Sequence, residues 1–562
     1  MNPRDQTKPV SADSALLREA AGRPFLRRLP VYFRLSGPGW LQSAITLGGG
    51  SLSGSLYLGV LGGFGLLWLQ PLAMIIGIVM LSAIGYMATA TGRRPLPAIN
   101  EFINPVLGWG WAIASLLASM VWAMPQYSLS VGVLQQNLLP GLLGADGPLG
   151  ETGGRLVPTL LIVILSTWIT WSYDRPGRGV KFYENLLKVV VGLIVLCFAG
   201  VVWRIAATAP GLDWGVLAAG CVPDFSLLFR PAAAFQDLIA ATPAAHHAYW
   251  TDWIVRTQRD VIVAAAATAV GINMTFLFPY SILQRGWGRE FSGLLRFDLA
   301  TGMFIPFTLA TSCVVIAAAS QFHAVPQPGI LPGEDPAAIT APASPRQRAE
   351  YAGLLRGLGA TNRATPADQR LAATLVTRDA PHLAAALEPL TGAFFGRVIF
   401  SFGVLGMTLS TITLMMLISG MVVCELLGRE HRGWPLRLGS LLAVSGALGP
   451  FLWSKAAFWL AVPTSIFGFI LMPIAYLTFS LLMNQRRLLG ADLPTGGRRV
   501  IWNVLMGVCL GVTGSASAYM LWDKGGKWGL AAAAAFLLAA GAVDLQRRFA
   551  RPPASPVGDE TR

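Results

Sequence analysis

The chain has 562 residues, 54% of them hydrophobic and only 12% charged, with a formal net charge of +14. A soluble domain carries about a quarter charged residues, so the composition excludes an ordinary soluble fold and points to a membrane protein. A nucleic-acid binder can carry such a charge, but here the basic residues are divided among short loops between apolar runs, which excludes that class.

Residues 1–35 are polar and basic, with no short apolar core followed by a cleavage site, and read as a cytoplasmic N-terminal tail. After them the apolar runs predict an all-α membrane protein of about twelve transmembrane helices, near 40–61, 66–91, 106–137, 156–173, 184–204, 261–283, 298–321, 395–425, 436–453, 459–483, 500–522 and 527–546. With the N-terminus in the cytoplasm, the short loops holding Arg93, Arg94, Arg175, Arg178, Lys181, Arg285, Arg289, Arg296, Arg429, Arg432, Arg437, Arg486, Arg487, Arg498 and Arg499 fall inside, as do Arg547, Arg548 and Arg551 of the tail 547–562. The opposite short loops hold only Arg155, Lys455, Lys524 and Lys527, a positive-inside pattern that places both termini in the cytoplasm. Residues 205–258 and 322–392 are longer and richer in Pro, Ala and charge, and read as external caps, with amphipathic stretches at Arg346–Leu358 and Gln369–Leu387 in the second.

The first span carries Ile45-Thr46-Leu47-Gly48-Gly49-Gly50-Ser51. Three successive glycines weaken a helix, and in a membrane that has two explanations: close packing against a neighbouring backbone, or an unwound segment at mid-bilayer turned toward a cavity. The glycines alone leave both open; Gly59 and Gly63 fit the packing role. The sixth span tips the reading toward the break, with an ordinary proline kink as its alternative. It reads Gly271-Ile272-Asn273-Met274-Thr275-Phe276-Leu277-Phe278-Pro279-Tyr280-Ser281, and interruptions in corresponding spans of two halves are the best pointer to a binding site. Gly48, Gly50 and Pro279 are the expected breaking residues, since proline removes a donor and crowds the preceding turn. Gly48, Gly49, Gly50, Ser51, Gln126, Asn273, Met274, Thr275, Ser410 and Thr411 are the candidate substrate-binding set.

Further motifs resemble the Nramp family of divalent-metal transporters, whose fold is the LeuT type. Pro38-Gly39-Trp40-Leu41 and Phe64-Gly65-Leu66-Leu67-Trp68 are similar to its helix 1 flanks, and Lys181-Phe182-Tyr183-Glu184 with Lys188 to its entry into helix 5. Gly406-Met407-Thr408-Leu409-Ser410-Thr411-Ile412-Thr413 resembles its polar helix 8, and Met472-Pro473 with Asn484-Gln485-Arg486-Arg487-Leu488-Leu489-Gly490 its helix 10 and the turn beyond, so the likeness runs in order over roughly 36–520. It implies two inverted five-helix repeats with broken helices 1 and 6, over 36–204 and 259–485, followed by two C-terminal helices within 486–546. It also implies transport of an inorganic, divalent metal cation through an altered site. The family's Asp-Pro-Gly-Asn break is matched here by Gly48-Gly49-Gly50-Ser51, and its Met-Pro-His-Asn break by Thr275-Phe276-Leu277-Phe278, or with a shift of one by a run starting at Met274. The family's acid, amide and histidine ligands are missing.

No acid replaces them at a predicted midplane. Glu184 and Lys188 form an i,i+4 pair at the cytoplasmic entry of helix 5, Asp298 and Glu425 read as interfacial anchors, and His246, His247, His323, His382 and His431 are placed in loops. Cys197, Cys221, Cys313, Cys424 and Cys509 have no metal-type spacing and read as packing residues. No metal site, cofactor, nucleotide loop or catalytic signature is read, so the protein is not expected to be an enzyme. The expected partners are the lipid bilayer and a transported ion or small solute. The alternatives to a cation are a small organic or anionic solute held at half-helix N-termini and a membrane sensor that transports nothing.

Overall fold

In the computed structural model helices dominate, and no strand occurs among the described residues, which are 12–22, 24–144, 147–173, 178–207, 212–331, 333, 343–359, 364–378, 398, 400–452 and 460–549. The expected N-terminal tail contains two helices, Ala12–Ala21 and Phe25–Leu35. The second lays Tyr32 and Phe33 edge-on to Phe297 at 5.3 and 5.0 Å between ring centres.

The first span is two helices, α1 (Pro38–Thr46) and α2 (Gly49–Gly62). With its continuation to Leu66, the second piece is bent 54° from the first. Proline at the first position of α1 suits a helix start, where a missing N–H costs nothing. Leu47 (φ −83°, ψ 61°) and Gly48 (φ −110°, ψ −177°) form the interruption, while Gly49 and Gly50 open α2, so Gly50 is helical and not one of the breaking residues. The chain then runs through α3 (Leu69–Thr91), closed by Gly92 at φ 63°, the left-handed end that only glycine adopts without strain. Next come α4 (Pro105–Val133), whose first turn is capped by the Asn104 side chain on Val106 N–H, then α5 (Gly150–Ser172) and α6 (Arg178–Ala207).

The sixth span starts earlier than its hydropathy suggests. A single stretch, Ala244–Gln284, comprises α7 (Ala244–Ala267) and α8 (Ile272–Gln284). The interruption is residues 268–271, where Gly271 is extended at φ −95°, ψ 161°. Pro279 lies inside α8 and is not the break. A proline within a membrane helix is tolerated because neighbouring groups satisfy the freed carbonyl, and extended Gly271 supplies the stop instead. His246 and His247 lie within α7 for the same reason, not in a loop.

The remaining elements are α9 (Ser292–Leu299), α10 (Ile305–Phe322), α11 (Phe400–Leu426), α12 (Gly433–Ser440, continuing as tighter helix to Leu448 and a last α-helical turn to Leu452), α13 (Ala461–Met483) and α14 (Gly496–Phe549). Among the described residues nine helical segments are long and apolar enough to span a bilayer, ten with the bent pair. One of the nine, α14, reverses at Gly526 (φ 55°, ψ −149°), so that an added Cβ on Gly529 would lie 2.7 Å from the Leu521 carbonyl oxygen. Both its ends therefore meet the same face, Asn503 Oδ1 accepting from Asn484 at 2.7 Å and Arg547 donating to the Asn100 carbonyl at 2.9 Å.

Burial separates centre from periphery: the apolar window of Ala244–Gln284 is 94% buried and that of α11 89%, against 6% for α14. Glycines set the spacing at the centre. A Cβ on Gly59 would lie 2.6 Å from the Val315 carbonyl oxygen of α10, and one on Gly54 3.0 Å from Ala265 Cα of α7, the close backbone approach that small residues permit between membrane helices. Gly63 instead makes a left-handed turn against His323.

Candidate functional site

The two interruptions lie side by side. Thr46 Oγ1, at the end of α1, sits 3.5 Å from the Ala269 carbonyl oxygen in the second break and 3.8 Å from Met274 Sδ. A Cβ on Gly50 would meet Thr268 Cγ2 at 3.5 Å and Ser465 Oγ at 3.7 Å. Where a helix stops, amides and carbonyls lose their partners, and here neutral side chains take several of them up. Gln126 Oε1 accepts the Gly49 N–H at 2.8 Å, and Ser51 Oγ donates back to the Gly48 carbonyl at 2.8 Å. From α11, Ser410 Oγ and Thr411 Oγ1 stand 3.1 and 3.3 Å from the Ala44 carbonyl oxygen. The seam is tight around its glycines: a Cβ on Gly48 would fall 2.4 Å from Thr411 Oγ1, and one on Gly49 2.3 Å from Leu129 Cδ1 at the movable end of that side chain.

Gly48, Gly49, Gly50, Ser51, Gln126, Met274, Ser410 and Thr411 thus converge around the paired breaks. Asn273 and Thr275 are engaged elsewhere. Asn273 Oδ1 accepts the Met274 N–H at 2.9 Å, and its Nδ2 reaches Met415 Sδ at 2.9 Å. Thr275 Oγ1 donates to the Ile272 carbonyl at 2.5 Å and accepts from Trp111 Nε1 at 2.9 Å. Sequence reasoning missed Thr46, Gln42 and Ser43, all buried polar residues of α1. The available signal was their occurrence inside an apolar run.

No carboxylate stands at the breaks among the described residues. The buried carboxylates among the described residues are Asp298, Asp368 and Glu425, and each is engaged away from the breaks. Asp298 accepts the Gly37 and Gly39 N–H groups at 3.0 and 2.6 Å, capping the start of α1. Lys188 Nζ and Arg285 Nη1 donate to the neighbouring Ser36 and Leu35 carbonyls at 2.8 and 2.7 Å. Glu425 accepts from Arg94 Nε at 2.7 Å and pairs with His431 Nε2 at 2.8 Å. Asp298 and Glu425 hold together the face that carries the arginine-rich loops. Glu184 of the expected Glu184–Lys188 pair, and His382, lie outside the residues whose side chains are described. No group of three His, Cys, Asp or Glu residues suited to a metal occurs among the described residues.

The opposite face is closed by the two longer segments. Tyr57 Oη, near the end of α2, donates to the Arg378 carbonyl at 2.6 Å, and the Trp68 N–H donates to the Gly220 carbonyl at 3.0 Å. The first amphipathic stretch forms Pro345–Arg356; of the second, expected over 369–387, the helix Pro366–Leu375 covers the start and residues 379–387 lie outside the described residues; each helix is opened by a Ser or Thr cap. Asp368 docks the second on α7, accepting from Trp250 Nε1 at 2.9 Å and from His246 Nδ1 at 3.0 Å. Burial pushes its carboxyl up, but hydrogen bonds from Thr365, Trp250 and His246 outweigh that and hold it below the ordinary carboxylate range.

Comparison with known proteins agrees with this architecture. The family model described as natural resistance-associated macrophage protein-like (Nramp) matches residues 39–339 and 365–523. A divalent metal cation transporter MntH of Brucella suis biovar 1 is 25% identical over 313 residues, 55% of this chain and 58% of that protein. Its counterpart in Agrobacterium fabrum is 26% identical over 235 residues, 41% of this chain and 46% of that protein. The chain therefore spans less than two thirds of the length of these curated relatives. Among solved structures, a mutant of the Eremococcus coleocola manganese transporter superposes with a TM-score of 0.61 at 13% identity, covering 94% of this chain and 97% of the other. The same transporter in complex with an aromatic bis-isothiourea compound superposes with a TM-score of 0.60 at 15% identity, covering 93% and 96%.

Proposed function

Because the chain belongs to the Nramp family, we propose that it is a secondary transporter that moves a divalent metal cation across the membrane and carries it largely hydrated. The observation that supports this most is the neutral polar seam between two interrupted helices, with Gly49 held by Gln126 and the Ser410 and Thr411 hydroxyls beside the Ala44 carbonyl. A bare divalent ion is too costly to desolvate without opposite charge beside it. An ion that keeps its water shell needs only hydrogen-bond acceptors, and Mg²⁺ dehydrates reluctantly and keeps several waters. The relatives named above are transporters of divalent metal cations, which supports the same class of cargo.

In this reading the arginine-rich face is cytoplasmic, as are both termini, and the chain crosses the membrane twelve times. Residues 36–204 and 259–485 form the two inverted repeats and α14 supplies the last two spans. The Asp298 and Glu425 networks close the inner side, and the Tyr57–Arg378 contact closes the outer side. Alternating access requires that these closures open in turn. A second reading has one observation in its favour: α2 and α8 both begin at the breaks, and helix N-termini suit a small carboxylate. Protein reconstituted in liposomes separates the two. The cation reading expects uptake of Mg²⁺ or Mn²⁺ that falls on Gln126→Leu; no uptake of either, together with thermal stabilisation by a small carboxylic acid, favours the second.

A further inference from the structure

Gln42 is fully buried in α1, and neither Oε1 nor Nε2 has a hydrogen-bond partner among the described residues. A primary amide buried with all its hydrogen-bonding capacity unused is rare, because each unpaired group forfeits its hydration. Ser43 Oγ, next in sequence, is likewise buried and without a partner. Packing does not explain the choice of residue, since leucine or methionine would fill the same volume without that penalty.

Position gives the explanation. Residues four apart share a helix face, so Gln42 lies one turn before Thr46, the residue that faces the Ala269 carbonyl and Met274 Sδ of the second break. The Gln42 carbonyl also accepts the Thr46 hydroxyl at 2.8 Å, which ties the two turns together. Five residues before Gln42, Gly37 is held by Asp298 at the basic face. Gln42 therefore stands between the paired breaks and the basic face, on the side of α1 that meets the second interrupted span. The other side-chain amides near the breaks have partners: Gln126 Oε1 accepts from Gly49, and Asn273 is engaged with Met274 and Met415.

We infer that Gln42 is a further substrate-contacting residue, a neutral station whose side-chain oxygen accepts hydrogen bonds from the water shell of a divalent cation passing between the breaks and the basic face. This rests on the cation-transport reading and adds to it the residue that receives the ion on one side of the seam. A side chain kept unpaired for a passing ligand has a signature that a structural one lacks: its apolar replacement relieves the protein while impairing its work.

The test uses full-length protein in proteoliposomes, with Mn²⁺ and Mg²⁺ uptake and thermal unfolding measured on the same preparations. Gln42→Leu is expected to keep or raise the unfolding temperature while lowering initial uptake by about tenfold or more. Gln42→Glu, close in shape and keeping the acceptor, is expected to transport, with a lower KM for Mn²⁺ and a new dependence on pH. Wild-type uptake left unchanged by Gln42→Leu overturns the assignment alone, as does a Gln42→Leu loss of uptake that Gln42→Glu shares without any change in KM or pH dependence. Wild-type protein that imports neither ion overturns the transport reading and this assignment with it.

Discussion

The Gly49 N–H points at the Gln126 side-chain oxygen from 2.8 Å, so the first amide of α2 is received by α4 and not by its own helix. This contact fixes where the second half of the broken span begins. Replacing Gln126 with leucine leaves that buried amide without an acceptor, at a cost of about 1–3 kcal/mol. Gln126→Leu is expected to lower the unfolding temperature and to reduce divalent uptake, and Gln126→Glu to retain the fold because it keeps the acceptor. Thermal unfolding in detergent, followed by uptake in liposomes, checks both.

Gly48 and Thr411 are coupled by space. A methyl group at 48 would fall 2.4 Å from Thr411 Oγ1. Gly48→Ala is expected to cost about 1–3 kcal/mol through overpacking. Thr411→Ala removes the obstructing hydroxyl, so the double variant should recover part of the loss, with a coupling of about 0.5–3 kcal/mol in a double-mutant cycle. Strict additivity in that cycle would show that the two positions do not meet.

Position 279 and position 271 should respond oppositely. Pro279 lies inside α8, where alanine is the better helix former, so Pro279→Ala is expected to leave stability equal or raised and uptake within about twofold of wild type. A Cβ on Gly271 would lie 2.4 Å from the Trp122 ring, so Gly271→Ala should destabilise the protein and cut uptake. Measuring both variants in one uptake assay locates the second interruption.

Docking of residues 366–375 should survive mild acid. The Asp368 carboxyl is held below its ordinary value by hydrogen bonds that outweigh its burial. A depressed folded-state value contributes stability above the unfolded value, near 4, and loses it as the pH falls through the lower folded value. Hydrogen-exchange protection of this segment, taken relative to the intrinsic rate at each pH, should therefore be flat from pH 7 to about 5 and fall only below about 4. Asp368→Asn should lower that protection at neutral pH and converge on wild type in acid, since hydrogen bonds to a charged acceptor are worth about 1.5–3 kcal/mol each.

Much of this was legible in the sequence, for identifiable reasons. The membrane class, the all-helical fold and the break at Gly48 follow from apolar runs and from glycines placed where no ordinary span wants them. Gln126, Ser410 and Thr411 could be named because polar side chains in apolar spans stand out. The second break could not be placed at residues 268–271, since Pro279 is the stronger local signal and only tertiary packing lets it stay helical. His246 was misplaced because α7 continues beyond its apolar part, and its buried partner Asp368 lies 122 residues away in sequence. Gln42 carried a signal equal to that of Gln126, but its meaning depends on the lack of a partner, which only coordinates reveal.

The proposed cation path runs between two broken helices without a carboxylate. It is tested most directly by Mn²⁺ and Mg²⁺ uptake into proteoliposomes across a pH series, with and without an imposed proton gradient. Uptake that depends on the protein, needs no proton gradient and shows no carboxylate-like titration is the expected result. Absence of divalent uptake, or uptake driven only by the gradient and abolished by neutralising a single buried acid, would contradict it.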